Sequence, residues 1–292
     1  MVRACYAEVT ARPANCDVIL PHFPLSILGF RGAPLDSTPA QFGISDCDPL
    51  IRRHVYYWLI CLQASKLSRS SNVEGFYLLY ADEESCVYIK RCLVIIAFRG
   101  TKHARDLYDD ALISLGAVYP RVIHAVRFIQ RLLALNPHIT VHVTGHSLGG
   151  AIARDVGKTL RLKTVTFNAA APPTSPVTIG FDEVSYHVVF DLISAWQSPN
   201  VIRIDKGFRP SSPVLGLVLP GVWLYDFLNS ILPAHKLSAF SNATPGTLTS
   251  AADENYYFDR WYYYIPHVAK VLLLTFFLGS SSGTTVGFQN II

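Results

Sequence analysis

The stretch VHVTGHSLGG, residues 141–150, constrains the fold most strongly, because it places a serine between glycines directly after a run that alternates apolar and polar residues. Alternation is typical of a β-strand, whereas the apolar residues that recur every four positions from 148 to 160 are typical of one helix face. A turn this tight between a strand and a helix leaves no room for large side chains. Gly145 and Gly149 meet that need. The pattern therefore predicts that Ser147 stands above the carboxyl edge of a sheet, where α/β proteins bind their ligands.

Helix and strand patterns alternate on both sides of this turn. Besides the helix that follows Ser147, helices are predicted at 52–67 and 121–135. Strands are predicted at 76–80, 86–90, 93–98, 139–144, 165–168 and 185–190. The run LVIIAF, 93–98, is continuously apolar, which is the pattern of a strand buried on both faces. A β-α-β-α-β order favours an α/β fold with a mostly parallel central sheet and helices on both sides.

Length and linker composition predict one large domain. The chain has 292 residues, half of them hydrophobic, and no Gly/Ser-rich or Pro-rich linker divides its middle. This is enough material for one sizeable buried core. We predict a single domain over 1–292, with its core at about 50–240, an N-terminal extension at 1–49 and a C-terminal extension at 241–292.

Charge and cysteine usage exclude several functions. The formal net charge is only +4, and the basic residues are scattered, so a nucleic-acid partner is not expected. The six cysteines show no CxxC pair and no nearby histidine set, so no zinc or other metal site is predicted. The N-terminus lacks the apolar core of a secretory signal, which favours a reducing, intracellular compartment. The sequence does not determine the oligomeric state.

A serine nucleophile needs a base and an acid, which in strand-turn-helix elbows of this kind follow in the order Ser, Asp or Glu, His. The acidic candidates after Ser147 are Asp182, Glu183, Asp191 and Asp205. Asp191 directly follows the predicted strand SYHVVF and would lie at the same sheet edge as Ser147, so it is favoured. Asp205 is the second choice.

The candidate bases are His187, His235 and His267. His235, in LPAHKL, is predicted on a loop that can reach across the top of the sheet, and it is favoured over His267. His187 lies inside a predicted strand, where a structural histidine is the usual case. His146 would point away from Ser147 in such an elbow and is assigned to structural packing.

Five segments resemble, in sequence and in order, the class 3 (fungal-type) lipase family. They are VIIAFRGTKHARDLYDD, VTGHSLGGAIA, TFNAAAPP, HVVFDLIS and LPAH, and the resemblance covers about residues 50–240. It implies an α/β-hydrolase fold with a nucleophile elbow at 145–149. It also implies hydrolysis of lipid carboxylic esters, of the triacylglycerol lipase or phospholipase A type, through an acyl-enzyme and without a cofactor. Residue by residue, the resemblance makes Ser147 the nucleophile, Asp191 the acid and His235 the base.

Two backbone N–H groups are candidates for an oxyanion hole. The N–H of Leu148 lies at the start of the predicted helix, where a carbonyl oxygen would become negative on attack by Ser147. Thr101 follows the strand 93–98 through Arg99 and Gly100, so its N–H can face the same edge. The resemblance implies that Thr101 also contributes a hydroxyl contact. The alternative is a threonine that caps the next helix.

The substrate is left open by the sequence. The segment KHARDLYDDAL, 102–112, stands where many fungal relatives have an amphipathic lid, but here it is charged, so phospholipids or short-chain esters are as plausible as triglyceride. The alternative is a solvated helix on an enzyme without a lid. The apolar stretch 213–232 predicts an acyl-pocket wall or a surface for peripheral lipid contact, with plain core as an equal alternative. The stretch 271–278 is too short to cross a bilayer, and the aromatic cluster within 256–264 is predicted to lie at a lipid interface or against the core.

Two further functions remain open. The first is a catalytically inactive lipase-like module that binds lipid or another protein. The second is an acyltransferase or peptidase on the same fold, which would use the same residues and differ in the group that receives the acyl chain.

Overall fold

The computed structural model describes residues 44–66, 69–101, 120–170, 182–191, 194, 201–208 and 233–249. Within them one mixed sheet has nine strands. The strands are β1 (Asn72–Val73), β2 (Phe76–Ala81), β3 (Ser85–Lys90), β4 (Leu93–Phe98), β5 (Thr140–His146), β6 (Lys163–Phe167), β7 (Glu183–Val188), β8 (Ile202–Asp205) and β9 (Thr247–Leu248). The helices are α1 (Val55–Ser65), α2 (Pro120–Leu135) and α3 (Leu148–Leu160), with 3-10 turns at Ile44–Asp46, Pro49–His54 and Leu237–Phe240.

The strands lie side by side in chain order. The five strands from β4 to β8 are parallel, whereas β1 to β4 pair antiparallel at one end and β9 pairs antiparallel with β8 at the other. Parallel pairing is thus confined to the centre of the sheet. The register pairs Phe98 with Gly145, and His146 with Phe167. The carboxyl ends of β4, β5 and β6 therefore meet at one edge, which is the edge that carries Ser147.

Helices cover both faces of the sheet, as the β-α-β-α-β order predicts. Alternate residues of β4 show the two layers, because Ile95 and Ala97 pack in the core with α1, whereas Val94, Ile96 and Phe98 pack in the core with α2 and α3. The predicted burial of this strand on both faces is confirmed. The α/β class is confirmed as well, and each of the six predicted strands is present with ends within two residues of the prediction.

The first helix begins later than its pattern predicts. A helix was expected over 52–67, but the chain forms a 3-10 turn at Pro49–His54 before α1. Asp48 starts this turn, since its Oδ1 accepts a hydrogen bond from the Leu50 N–H at 2.9 Å. The helix is buried along almost its whole length, so its pattern does not mark one polar face.

A buried ion pair and two hydrogen bonds of Lys206 join the start of the described residues to the segment after residue 240. The Lys206 ammonium contacts the Asp48 carboxylate and donates to the carbonyl oxygens of Ser241 and Thr244. β9 follows directly and adds the last strand to the sheet. Part of the region that we predicted as a C-terminal extension therefore lies in the sheet itself.

Several predicted features lie outside the described residues. They are the charged segment 102–112, the apolar stretches 213–232 and 271–278, the aromatic cluster within 256–264, and His267. Among the helices of the described ranges, none is both long and apolar enough to span a membrane. Cys47, Cys61 and Cys86 are buried and carry free thiols.

Candidate active site

Ser147 occupies a strained turn between β5 and α3. Its φ of 57° and ψ of −129° are uncommon for a residue other than glycine, and such strain clusters at functional sites. A Cβ on Gly145 would lie 2.1 Å from the Gly149 carbonyl oxygen, and a Cβ on Gly149 would lie 2.1 Å from the Phe98 carbonyl oxygen. Both distances are far inside van der Waals contact. Glycine is therefore required on each side of the serine, as the sequence predicts.

A chain of hydrogen bonds joins Ser147 to His235 and Asp191. His235 Nε2 lies 2.8 Å from Ser147 Oγ, and His235 Nδ1 lies 3.0 Å and 2.9 Å from the two carboxylate oxygens of Asp191. All three residues are buried. The structure thus brings together the serine, the acid and the histidine that the sequence singled out, although they come from three separate parts of the chain.

The charge state of Asp191 determines how the protons are arranged. Burial alone would raise the pKa of Asp191, but the His235 charge and the hydrogen bonds from His235 and Ser194 outweigh it, so the pKa is lowered. An ionised carboxylate only accepts hydrogen bonds, so His235 Nδ1 carries the proton and donates it. His235 Nε2 is then free of a proton and can accept the hydrogen of the Ser147 hydroxyl.

A second pair of residues supports Asp191 from behind. Ser194 Oγ donates to Asp191 Oδ2 at 2.6 Å, and His187 Nδ1 lies 2.5 Å from Ser194 Oγ. Since the only hydroxyl proton of Ser194 goes to Asp191, His187 must donate through Nδ1. The sequence indicated His187 only as a structural histidine, and it gave no signal for Ser194 beyond its position three residues after Asp191.

His146 is buried beside the site and faces the backbone of His235. Its Nε2 lies 2.6 Å from the His235 carbonyl oxygen, so this nitrogen is the donor. Burial, followed by the positive charge of His235, lowers the pKa of His146 to about 3. His146 therefore stays neutral beside a histidine that takes up a proton. Asn168, which the sequence did not single out, donates to the same carbonyl oxygen at 3.3 Å.

The two predicted oxyanion donors lie at the same edge as Ser147. Leu148 is the first residue of α3, and the first N–H groups of a helix have no partner within the helix. A Cβ on Gly100 would lie 3.4 Å from Ser147 Cβ, so the chain that leaves β4 passes beside the nucleophile. Thr101 is the next residue, and it is partly exposed.

The three alternative acids lie at the two opposite ends of the parallel strands. Asp182 and Glu183 stand at the start of β7, at the edge of the parallel strands opposite Ser147. Asp205 ends β8, and its Oδ1 accepts a hydrogen bond from the Gly207 N–H at 2.7 Å. Among the described residues, no group of three or more His, Cys, Asp and Glu side chains is arranged to hold a metal ion.

Part of the chain matches a known protein family. Residues 78–181 match a phospholipase-like family, described as the Tle-like phospholipase domain. This span begins in β2 and includes the elbow, and it covers about a third of the chain. The match agrees with the resemblance to lipases of the α/β-hydrolase fold, and at a coarse level it supports a lipid ester hydrolase.

Three solved fungal structures are similar to this chain, with sequence identities of 15–17%. A lipase from Rhizopus microsporus var. chinensis has 15% identity and a TM-score of 0.37, with 60% of this chain and 82% of that chain covered. The Rhizomucor miehei lipase propeptide complex has 17% identity and a TM-score of 0.34, with 56% of this chain and 72% of that chain covered. A mutant form of MDLA from Penicillium cyclopium has 17% identity and a TM-score of 0.34, with 49% of this chain and 73% of that chain covered. No curated protein matches the chain.

Proposed function

We propose that this protein hydrolyses carboxylic ester bonds of phospholipids through an acyl-enzyme formed on Ser147. The observation that carries the proposal is the continuous hydrogen-bond chain from Ser147 through His235 to Asp191 at a strained strand-to-helix turn. The substrate class rests on the match of 78–181 to a phospholipase-like family.

Acylation begins with proton transfer. His235 Nε2 accepts the Ser147 hydroxyl proton while Oγ attacks the ester carbonyl carbon, and the π electrons of the carbonyl move onto its oxygen. Asp191 keeps the proton on His235 Nδ1 and stabilises the imidazolium that forms, and it does not itself become protonated. When the tetrahedral intermediate collapses, the imidazolium gives its proton to the departing alcohol, and an acyl ester remains on Ser147.

The oxyanion is stabilised by backbone donors. The N–H of Leu148 and that of Thr101 are the two proposed donors, and the Thr101 hydroxyl is a third. In deacylation the same steps occur with water as the nucleophile in place of Ser147. His235 Nε2 takes a proton from the water, the acyl ester is cleaved, and free fatty acid leaves. Loss of one oxyanion donor typically costs about 10²- to 10³-fold in kcat, whereas loss of the nucleophile costs about 10⁴- to 10⁶-fold.

Two neighbouring functions use the same geometry. A triacylglycerol lipase differs only in the leaving group, and an acyltransferase differs only in the acceptor that attacks the acyl-enzyme. An inactive lipid-binding module is disfavoured because hydrogen-bonded nucleophile, base and acid are all present at the elbow.

The test compares four proteins on three kinds of substrate. Wild type, Ser147→Ala, Asp191→Asn and Asp205→Asn are assayed on phospholipid vesicles, on triglyceride emulsion and on p-nitrophenyl esters of increasing chain length. We expect Ser147→Ala to be inactive and Asp191→Asn to lose about 10⁴-fold in kcat, because the wrong tautomer of His235 is then favoured. Asp205→Asn is the matched control and should retain activity.

Each outcome decides one part of the proposal. Equal rates for wild type and Ser147→Ala on every substrate, or no activity of either, would remove the enzyme assignment. A wild type that acts on triglyceride and not on vesicles would leave a serine lipase and overturn the phospholipid assignment. Acyl transfer to an added alcohol at the expense of free fatty acid would favour an acyltransferase.

A further inference from the structure

We infer that Asn168 is a positioning residue that holds His235 in line with Ser147 and Asp191, an inference that rests on the proposed function. Asn168 follows β6 directly and is fully buried. Its φ of 44° lies in the left-handed region, which asparagine adopts more readily than most residues. This backbone conformation turns the chain at the end of β6, at the sheet edge of the candidate site.

The side-chain amide of Asn168 uses both of its ends. Its Nδ2 donates to the Ala234 carbonyl oxygen at 2.8 Å and to the His235 carbonyl oxygen at 3.3 Å. Its Oδ1 accepts a hydrogen bond from the Val188 N–H at 2.8 Å. One side chain therefore joins the end of β6, the end of β7 and the backbone of Ala234 and His235.

This link matters because Asp191 and His235 reach the site by separate routes. Val188 ends β7, and the Val188 carbonyl oxygen accepts a hydrogen bond from the Asp191 N–H at 3.0 Å. Asn168 thus ties the backbone just before the acid to the backbone of the base. His146 Nε2 adds a second donor to the His235 carbonyl oxygen at 2.6 Å, from the residue next to the nucleophile. The backbone of His235 is therefore fixed by two side chains, while its ring is held by hydrogen bonds to Ser147 and Asp191.

Asparagine combines three properties at this position. It tolerates the positive φ, its Nδ2 donates to the Ala234 and His235 carbonyl oxygens, and its Oδ1 accepts from the Val188 N–H. Glycine would accept the positive φ but has no side chain to link the segments. Aspartate is isosteric and keeps the acceptor for Val188, but when ionised it has no donor for the two carbonyl groups. A displacement of about 1 Å in a catalytic group can cost about 10²-fold in rate, so loss of the amide is expected to act on kcat.

The first experiment measures kcat and KM for Asn168→Gly and Asn168→Asp on a p-nitrophenyl ester. We expect kcat to fall about 10- to 100-fold in both variants, with KM changed by less than about twofold, because the residue touches His235 and not the substrate. The matched control is Asn136→Gly, which removes a similar 3.1 Å bond from an amide Nδ2 to the Leu132 carbonyl oxygen at the far end of α2. It should keep wild-type kcat.

The second experiment separates positioning from a general structural role. In a His235→Ala background, Asn168→Gly should change the residual rate by less than about twofold, since residues that act as a unit are non-additive. The downfield ¹H NMR signal of the Nδ1 proton shared by His235 and Asp191 should also broaden or disappear in Asn168→Gly. The Asp variant carries the test if the Gly variant does not fold.

The outcomes distinguish this inference from the proposed function. Wild-type kcat in a folded Asn168 variant, or an equal loss of rate with and without His235, would overturn the positioning role while the serine mechanism stands. If Ser147→Ala and His235→Ala are as active as wild type, the proposed function itself fails and the inference fails with it.

Discussion

Three histidines of the candidate site, His146, His187 and His235, differ at the residue scale because each has different neighbours. His235 lies between a hydroxyl and a carboxylate, so its Nε2 can accept the Ser147 proton while Asp191 stabilises the positive charge that forms. Burial, followed by the positive charge of His235, holds the pKa of His146 at about 3, so His146 stays neutral. His187 donates to Ser194, which in turn donates to Asp191. Residue type alone does not distinguish the roles of these three histidines.

The first residue-scale prediction concerns Ser194. Replacement by alanine removes one of the hydrogen bonds that lower the pKa of Asp191 and leaves a buried carboxylate short of a donor. We expect the free energy of unfolding to fall by about 1–3 kcal/mol and kcat to fall by roughly tenfold. Urea unfolding and steady-state kinetics measure the two effects.

Ser65 provides the control for this prediction. Its hydroxyl donates to the Leu62 carbonyl oxygen at 2.8 Å at the end of α1, away from Ser147. Ser65→Ala should have wild-type kcat. If Ser194→Ala also has wild-type kcat, then Ser194 serves stability alone and does not help to hold Asp191.

The elbow is the important feature at the scale of elements, because β4, β5 and α3 pack backbone against backbone there. The contacts around Gly145 and Gly149 are made by backbone atoms, which cannot rotate away as a side chain can. The strained φ of Ser147 persists because this packing leaves the turn no alternative. The position of the nucleophile therefore depends on backbone packing and not on its own hydrogen bonds.

Gly149→Ala tests this dependence on backbone packing. The added methyl group would lie 2.1 Å from the Phe98 carbonyl oxygen, so β4 and α3 must separate. We expect the free energy of unfolding to fall by about 1–3 kcal/mol, as is typical of overpacking, and kcat to fall as Ser147 moves. Thermal unfolding and the rate of Ser147 labelling by a fluorophosphonate measure the two changes.

Gly157→Ala is the control on the same helix. Its added methyl group would meet Thr164 Oγ1 at 1.9 Å, which is a side-chain contact near the other end of α3. This variant should lose stability while the labelling rate of Ser147 stays at the wild-type value. Equal labelling rates for both variants would show that the elbow tolerates the displacement.

At the scale of the whole molecule, one buried and one partly buried polar pair join the α1 layer to the sheet. His54 Nδ1 lies 2.8 Å from the Tyr186 hydroxyl oxygen, and the Tyr57 hydroxyl oxygen lies 2.8 Å from His142 Nδ1. Burial, helped by the charge of Lys163, lowers the pKa of both histidines to about 4. Both pairs are therefore neutral at pH 7, and the helix packs on the sheet without a buried charge.

This arrangement predicts acid sensitivity. In the unfolded chain each histidine takes up a proton near pH 6.5, whereas in the folded protein it does so only near pH 4. The unfolded state thus binds more protons between these values, so the free energy of unfolding falls as the pH drops from about 6.5 to 4. One such group contributes up to about 1.4 kcal/mol per pH unit. Urea unfolding at several pH values measures the slope.

His142→Asn isolates one of the two groups. The amide oxygen can replace Nδ1 as the acceptor for the Tyr57 hydroxyl, but it does not titrate in this range. The slope between pH 6.5 and 4 should decrease by the share of one histidine. His124→Asn, on the exposed face of α2, should keep the wild-type slope. An unchanged slope in His142→Asn would contradict the assignment.

Much of the element order was predictable, because helix and strand periodicity is a local property of the chain. The strand LVIIAF and the helix at 121–135 illustrate this, since both were placed to within one residue. β1, β8 and β9 were not predicted. Each has four residues or fewer, and its pairing depends on a neighbouring strand and not on its own pattern.

The sequence by itself predicted the elbow from the glycines at positions 145 and 149. It favoured Asp191 because that residue follows a predicted strand, and His235 because it lies on a predicted loop. The tertiary structure decided which side chains stabilise these residues. The hydrogen bonds of Ser194, His146 and Asn168 reach atoms that folding brings near. In the chain, His146 is 89 positions from His235, and Asn168 is 66 positions from Ala234. Such contacts leave no periodic signal, because they depend on where sheet edges and loops meet in space.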